Sequence, residues 1–355
     1  MEPVSLPESH PLVDGRTAAS PFVRAYRGER VPVRPVWFMR QAGRSLPEYR
    51  ALREGRPMLE SCLTPEIASE ITLQPVRRHG VDAAVFFSDI VIPVKLAGIG
   101  VEIVAGRGPV LEHPIRTAAD VLALRPLDPA ALDPIREAVA LTVAELGETP
   151  LIGFAGAPFT LASYLVEGGP SKDQGRARAL MYSDPHAWAS LLNWCADASG
   201  MFLRAQVEAG ASAVQLFDSW VGSLGRRDYQ RRVAPHSRRA FDHLRGLDVP
   251  KSHFGLGGGD FLDVMRDVGA DVVGIDWRLP LDEANRRLGG TSTLQGNIDS
   301  ALLGASWSTL RAHIDDVLDR GAEAPAHIVN LGHGVPPETD PEVLTRIVTY
   351  VHERG

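Results

Sequence analysis

Eight short runs of β-branched, aromatic and small apolar residues, separated by longer stretches of helical period, constrain this 355-residue chain more than any other feature. They are Pro35 to Met39, Ala83 to Phe87, Leu151 to Phe154, Ala213 to Phe217, Lys251 to Gly255, Val272 to Ile275, Thr291 to Gln295 and His327 to Leu331. Strands that read as near-continuous apolar runs are buried on both faces, as in a parallel sheet covered by helices. Eight of them alternating with helices predict an α/β fold, a single-domain (β/α)8 barrel of TIM type. The barrel is expected over 21–355, after a polar N-terminal tail over 1–20.

The stretches between the runs carry helix punctuation. Thr64-Pro65-Glu66 supplies a cap, a first-turn proline and a first-turn acid; Ile67, Ile71 and Val76 then share a face, and Gly80 ends the pattern. Pro75 is predicted to kink or break that helix. Ser183-Asp184-Pro185 opens another, whose apolar spacing from Leu191 to Ala205 places Cys195 in the core. Arg107 to Pro134 reads as an extended surface connection.

Composition narrows the partners. Lys and Arg number 37 against 44 Asp and Glu, a net charge of −7, which argues against a general nucleic-acid or anionic-membrane binder. Residues 1–19 hold no apolar leader, and nowhere is there the run of about 18 apolar residues that a membrane span needs. Cys62 and Cys195 are far apart and in no CxxC arrangement, so a disulfide framework or zinc knuckle is not expected, and a reducing cytosol fits.

In such a barrel the residues just past the strand ends converge on one mouth. The exits read Arg40-Gln41-Ala42-Gly43-Arg44, Ser88-Asp89, Ala155-Gly156-Ala157-Pro158, Asp218-Ser219-Trp220, Gly257-Gly258-Gly259-Asp260, Asp276-Trp277, Gly296-Asn297-Ile298-Asp299 and Gly332-His333-Gly334. The first is the most cationic: six arginines and two acids lie between Arg34 and Arg56. Arg50, Arg53 and Arg56 also fit a solvated helix face. Arg40 and Arg44 flank a glycine-containing turn, and their planar forks suit bidentate recognition of a polyanion's carboxylates or phosphates.

Asp89 stands alone after the apolar run Ala83 to Phe87. A carboxylate there either pairs with an arginine or is an anion aimed at ligand N–H donors or developing positive charge. Gly257 to Gly259 lacks the Lys-Ser/Thr of a phosphate loop and reads as a tight turn. His333, between two glycines, is free to point inward.

With these exits in view, the sequence resembles the uroporphyrinogen decarboxylase family over nearly its whole length. Pro35-Val36-Trp37-Phe38-Met39-Arg40-Gln41-Ala42-Gly43-Arg44 looks like that family's N-terminal signature. Gly153 to Leu161, with Tyr164 and Glu167-Gly168-Gly169, looks like its second. Phe87-Ser88-Asp89-Ile90, Phe217-Asp218-Ser219-Trp220 and Asn330-Leu331-Gly332-His333-Gly334 follow in the family's order.

The resemblance implies a carboxy-lyase that needs no cofactor or metal, converts the four acetate arms of uroporphyrinogen to methyls, releases coproporphyrinogen, and works as a cytoplasmic homodimer. It implies substrate contacts at Arg40, Gln41, Ala42, Gly43, Arg44, Asp89, Tyr164, Ser219 and His333, with Arg53 a weaker member. Catalytic roles fall on Asp89, Arg40 and Tyr164. An octaacid with four pyrrole N–H groups needs cations at the rim and an acceptor at the centre, which these residues supply. Arg40, Tyr164 and bound water all remain as proton donors.

Ser45 and Ser300 depart from the family pattern, where an aromatic residue and a proline are expected. A related zinc-dependent methyltransferase, reading cobalamin or thiols, would carry a His-x-Cys pair; here the region reads His253-Phe254-Gly255. A non-enzymatic tetrapyrrole carrier would use the same arginines and Asp89, and differs only in leaving the carboxylate number unchanged.

Overall fold

The apolar runs pair side by side and in parallel. The structure, a computed structural model, describes residues 5–355. Its strands are β1 (Ala84–Val85), β2 (Val101–Val104), β3 (Gly108–Leu111), β4 (Leu151–Gly156), β5 (Ala213–Asp218), β6 (Lys251–Gly255), β7 (Val272–Gly274), β8 (Thr293–Gln295) and β9 (His327–Ile328). Seven form one parallel sheet in the order β1-β4-β5-β6-β7-β8-β9, and β2 pairs antiparallel with β3.

The first run, Pro35 to Met39, forms no regular strand. Pro35 has no N–H, and side chains take most of the donors that follow. Val36 N–H donates to Asp82 Oδ2 (2.7 Å), Phe38 N–H to Gln41 Oε1 (2.9 Å) and Met39 N–H to Asn330 Oδ1 (3.0 Å). Trp37 N–H alone among these bonds a backbone carbonyl, that of Val329, and the segment makes one parallel bridge, Val36 to Val329. On its other side Val36 O accepts the Asp82 N–H at 2.9 Å.

Alternate side chains leave the strands in opposite directions, as the two-residue period requires. Trp37, Met39, Ala83, Val85, Ile152, Phe154, Ala213, Val272 and Ile328 gather in one buried cluster with Phe22 and Tyr26 from the helix Pro21–Tyr26. Their neighbours Val36, Phe38, Ala84, Phe86, Leu151, Ala155, Val273 and Leu294 pack instead against the outer helices. Burying a large side chain on either side contributes about 1.5–3 kcal/mol, so each strand is held from both faces.

Four expectations change. Residues 5–20 are not a free tail: His10 and Thr17 are buried, the His10 ring meets Val207 O at 2.9 Å, and Thr17 Oγ1 meets Ser212 Oγ at 2.8 Å. The region Arg107 to Pro134 is not merely extended, because it includes β3 and the capped helix Ala118–Leu122. The helix Pro65–His79 runs unbroken through Pro75. Thr64 precedes it as foreseen, but its hydroxyl donates back to Glu60 O at 3.0 Å instead of accepting a helical N–H. Gly80 closes the helix in the left-handed conformation, φ 63°, which glycine adopts without steric cost.

Candidate active site

Because the seven paired strands are parallel, their exits lie at one end of the sheet. The first exit turns sharply: Gln41 N–H donates to Phe38 O at 3.0 Å, and Arg40 takes a left-handed backbone, φ 63°. That conformation strains a side-chain-bearing residue by about 1–3 kcal/mol and is kept only where the surroundings enforce it. Gln41 does the enforcing. It is fully buried, accepts from Phe38 N–H and donates from Nε2 to Ala83 O at 3.1 Å. Its side chain therefore braces the turn and is not available to a ligand.

Arg40 and Arg44 are exposed, while Ala42 and Gly43 are half-buried between them. Arg40 lies across Gly334, where any Cβ would collide with its Cδ. Arg50 Nη1 donates to Arg44 O (2.7 Å) and Ser45 O (3.1 Å), so it clamps the loop. Arg53 donates to Ser61 Oγ at 2.9 Å, is half-buried, and lines a cavity of about 560 Å³ with Arg44, Tyr49, Arg50 and Pro337. Arg56 is exposed. Ser45 is buried with an unpartnered hydroxyl, as is the Ser300 hydroxyl.

Asp89 follows the buried residues Ala83–Phe87. Its Oδ1 accepts the Val91 N–H at 3.0 Å, and among the described residues it forms no ion pair with any arginine. Burial raises its carboxyl pKa, opposed by the Val91 hydrogen bond and by the charge of Arg40. Of the two readings open for Asp89, arginine pairing is not what the geometry contains.

Tyr164 stands on the helix Pro158–Glu167, which starts directly after β4 and ends at the left-handed Gly168, φ 83°. Its ring packs against Trp220, tilted by 31° with centroids 4.0 Å apart. Burial, and secondarily the charge of Asp89, push the phenol up to about 12, so it stays protonated near neutrality. Trp220 and half-buried Ser219 follow β5. They are placed by Thr160, whose hydroxyl donates to the buried Asp218 Oδ1 (2.8 Å) and accepts the Trp220 N–H (3.4 Å).

His333 is half-buried, with its ring edge-on to Trp277 at 6.2 Å. Burial lowers its pKa, and the charges of Arg40 and Arg278 add to that, which makes it a neutral imidazole at pH 7. The glycine run after β6 is a turn: Gly257 has φ 75° and gives its N–H to Asp276 Oδ2 at 2.6 Å. His253 is fully buried, its Nδ1 3.4 Å from Met265 O, its Nε2 3.7 Å from Asp218 Oδ2 and its ring against Phe241. Cys62 and Cys195 are both buried free thiols raised in pKa by burial.

The sequence-expected residues thus divide. Arg40, Asp89 and Tyr164 act on one another electrostatically, and His333 joins them through Arg40. Gln41 serves the turn. Trp220 and Trp277 stand in exits read from the sequence but without an assigned role, and Arg278 lies just past the second of these, so position a few residues after a buried strand was the available signal.

A family model described as uroporphyrinogen decarboxylase matches residues 17–354. A protein of Arthrobacter sp. strain FB24 with that name is 68% identical over 340 residues, covering 96% of this chain and 99% of that protein. One from Leifsonia xyli subsp. xyli, also so named, is 62% identical, covering 98% of each. Among solved structures, a methyltransferase from Methanosarcina mazei superposes with a TM-score of 0.80 at 19% identity, over 95% of this chain and 98% of that one. At that identity the likeness is one of fold.

Proposed function

The chain belongs to the uroporphyrinogen decarboxylase family and is a carboxy-lyase, and we propose that it removes the four acetate carboxylates of uroporphyrinogen III by charge placed at the pyrrole nitrogens. The observation that carries this reading is Asp89: a half-buried carboxylate at a strand exit, free of ion pairs, between a cationic loop and a protonated phenol. Pyrrole N–H groups converge on such an acceptor, while Arg40, Arg44 and Arg53 take carboxylates at the rim. Ala42, Gly43, Ser219 and His333 complete the contact surface.

Loss of CO2 from a pyrrole acetate leaves an electron pair that the neutral ring does not accept. Protonation at a ring carbon creates a cation that does, and the Asp89 charge stabilises that cation where it forms. The C–C bond then breaks, its electron pair flows into the ring, CO2 departs, the exocyclic methylene takes a proton to become methyl, and the ring carbon gives its added proton back to restore the pyrrole. Net consumption is one proton per carboxylate lost. Tyr164 stays protonated near the Asp89 charge and so holds a proton to give, although burial makes its phenol a weak acid, as the guanidinium of Arg40 also is.

The same reading includes a closed (β/α)8 barrel, a single domain over 21–355, a homodimer and a cytoplasmic setting. Barrel closure is supported by the Val36 segment, which bonds Val329 beside β9 and Asp82 ahead of β1. The cytoplasmic setting is supported by two buried, unpaired cysteines, and the dimer by the family resemblance.

Anaerobic incubation with uroporphyrinogen III, followed by chromatographic separation of eight- to four-carboxylate products, tests the function. Stepwise loss to coproporphyrinogen, unaffected by exhaustive chelation, is the expected result. Retention of all eight carboxylates, or a loss of activity restored by zinc, would overturn it.

A further inference from the structure

The arginines assigned to the rim all come from one segment, residues 40–53, and so cover one arc of the mouth. A macrocycle whose nitrogens converge on Asp89 sends its eight carboxylates outward around the whole perimeter. Some of them must meet the protein elsewhere.

Arg278 follows β7, two strands away from β9 in the sheet order and therefore on another part of the mouth. Its guanidinium lies 3.9 Å from the centroid of Trp277, held there by a bond from Nη1 to Asp276 Oδ2 (2.8 Å), while Asp276 Oδ1 accepts the Arg278 backbone N–H (2.9 Å). Asp276 is buried and itself anchored by the Gly257 N–H, so the tether is rigid. Half of the Arg278 side chain is exposed, and its Nε and Nη2 donors meet no acceptor among the described residues. A cation stacked on an indole, fixed by one carboxylate and presenting free donors, is preorganised for a second carboxylate. Trp277 also packs edge-on to His333, and Gly332 lies so close to Trp277 that any Cβ would strike its backbone nitrogen. Arg278 therefore belongs to the same mouth as His333 and Arg40.

We propose that Arg278 is a substrate-binding residue, its free guanidinium donors taking a macrocycle side-chain carboxylate on an arc that Arg40 and Arg44 do not cover. The proposal rests on the decarboxylase reading above. Its identity is specific to a polycarboxylate substrate, since a ligand with anionic groups on one edge would leave Arg278 idle.

Steady-state kinetics on the full chain with the octacarboxylate substrate test it, with Arg278→Gln, Arg278→Lys and Arg40→Gln compared. Arg278→Gln is expected to raise KM about tenfold, the scale of one lost charge-assisted contact, with kcat within about twofold. Arg278→Lys, which keeps charge without the fork, should recover part of that loss. An unchanged KM in Arg278→Gln, or a loss confined to kcat, would overturn the proposal. If Arg40→Gln also leaves the kinetics unchanged, the site reading itself fails; if Arg40→Gln alone matters, only the role of Arg278 does.

Discussion

The Arg40 side chain crosses Gly334 so closely that a Cβ at position 334 would overlap its Cδ and Cγ. The two residues are 294 positions apart, and their contact joins the first strand exit to the last. Gly334 is thus the space through which a strained, left-handed arginine reaches the mouth.

Gly334→Ala should displace Arg40 without unfolding the chain, because Gly334 has no left-handed backbone to lose. Misplacement of a binding group by about 1 Å costs up to 10²-fold, so kcat/KM should fall by roughly 10- to 100-fold with melting temperature nearly unchanged. Wild-type kinetics in this variant would show that Arg40 is not held by that contact.

Asp89→Asn keeps the shape and one acceptor oxygen but removes the charge. Turnover should fall by about 10²-fold or more, the scale for a preorganised transition-state partner. Stability should move the other way. Burial raises the folded-state pKa of Asp89 above its unfolded value, so this group's contribution is full below the unfolded pKa and is lost as pH rises through the folded one. At neutral pH the charge is therefore a liability, and the Asn variant should melt no lower than wild type. Calorimetry and single-turnover assays on the same preparation check both halves; a less stable or fully active variant contradicts them.

Tyr164→Phe keeps the ring packing against Trp220 and removes the hydroxyl. A decrease in kcat of about 10²-fold is expected if the phenol donates in the transition state. Since the phenol is pushed up to about 12, the wild-type rate should show no tyrosine ionisation between about pH 6 and 10. A rate limb in that range that disappears in Tyr164→Phe would contradict the assignment.

Global stability should decline as pH drops below the histidine range. His79, His236 and His327 are pushed down to about 4, chiefly by burial. The unfolded chain binds protons from about pH 6.5 downward while these native imidazoles do not, so stability is lost between about 6.5 and 4. His327, buried with Nε2 on Gly296 O, should contribute about 1.4 kcal/mol per pH unit through that window. His352, whose pKa is raised by its hydrogen bond to Asp82, works in the opposite direction. Urea midpoints against pH, in wild type and His327→Gln, read this; an equal slope in both would exclude His327 as a source.

Periodicity and strand-end chemistry alone determined the parallel α/β architecture, the cationic loop Arg40–Arg44, the isolated Asp89 and the Gly-His-Gly exit, because burial on two faces and residue type at a strand terminus are local properties written in consecutive residues. Only the tertiary structure decided which side chains meet. It turned Gln41 into a brace, since a proline-led first segment needed side-chain acceptors for its N–H groups. It left Asp89 without an ion pair although six arginines lie within one nearby stretch: Arg34, Arg50 and Arg53 give donors to backbone carbonyls, and Arg40 reaches Asp89 only through its charge. It folded residues 5–20 against the protein through His10 and Thr17, polar groups whose partners lie almost two hundred residues away. It also seated Arg278 on Trp277. Such contacts depend on how parallel strands are staggered and how far each loop reaches, and no local pattern of hydrophobicity encodes that register.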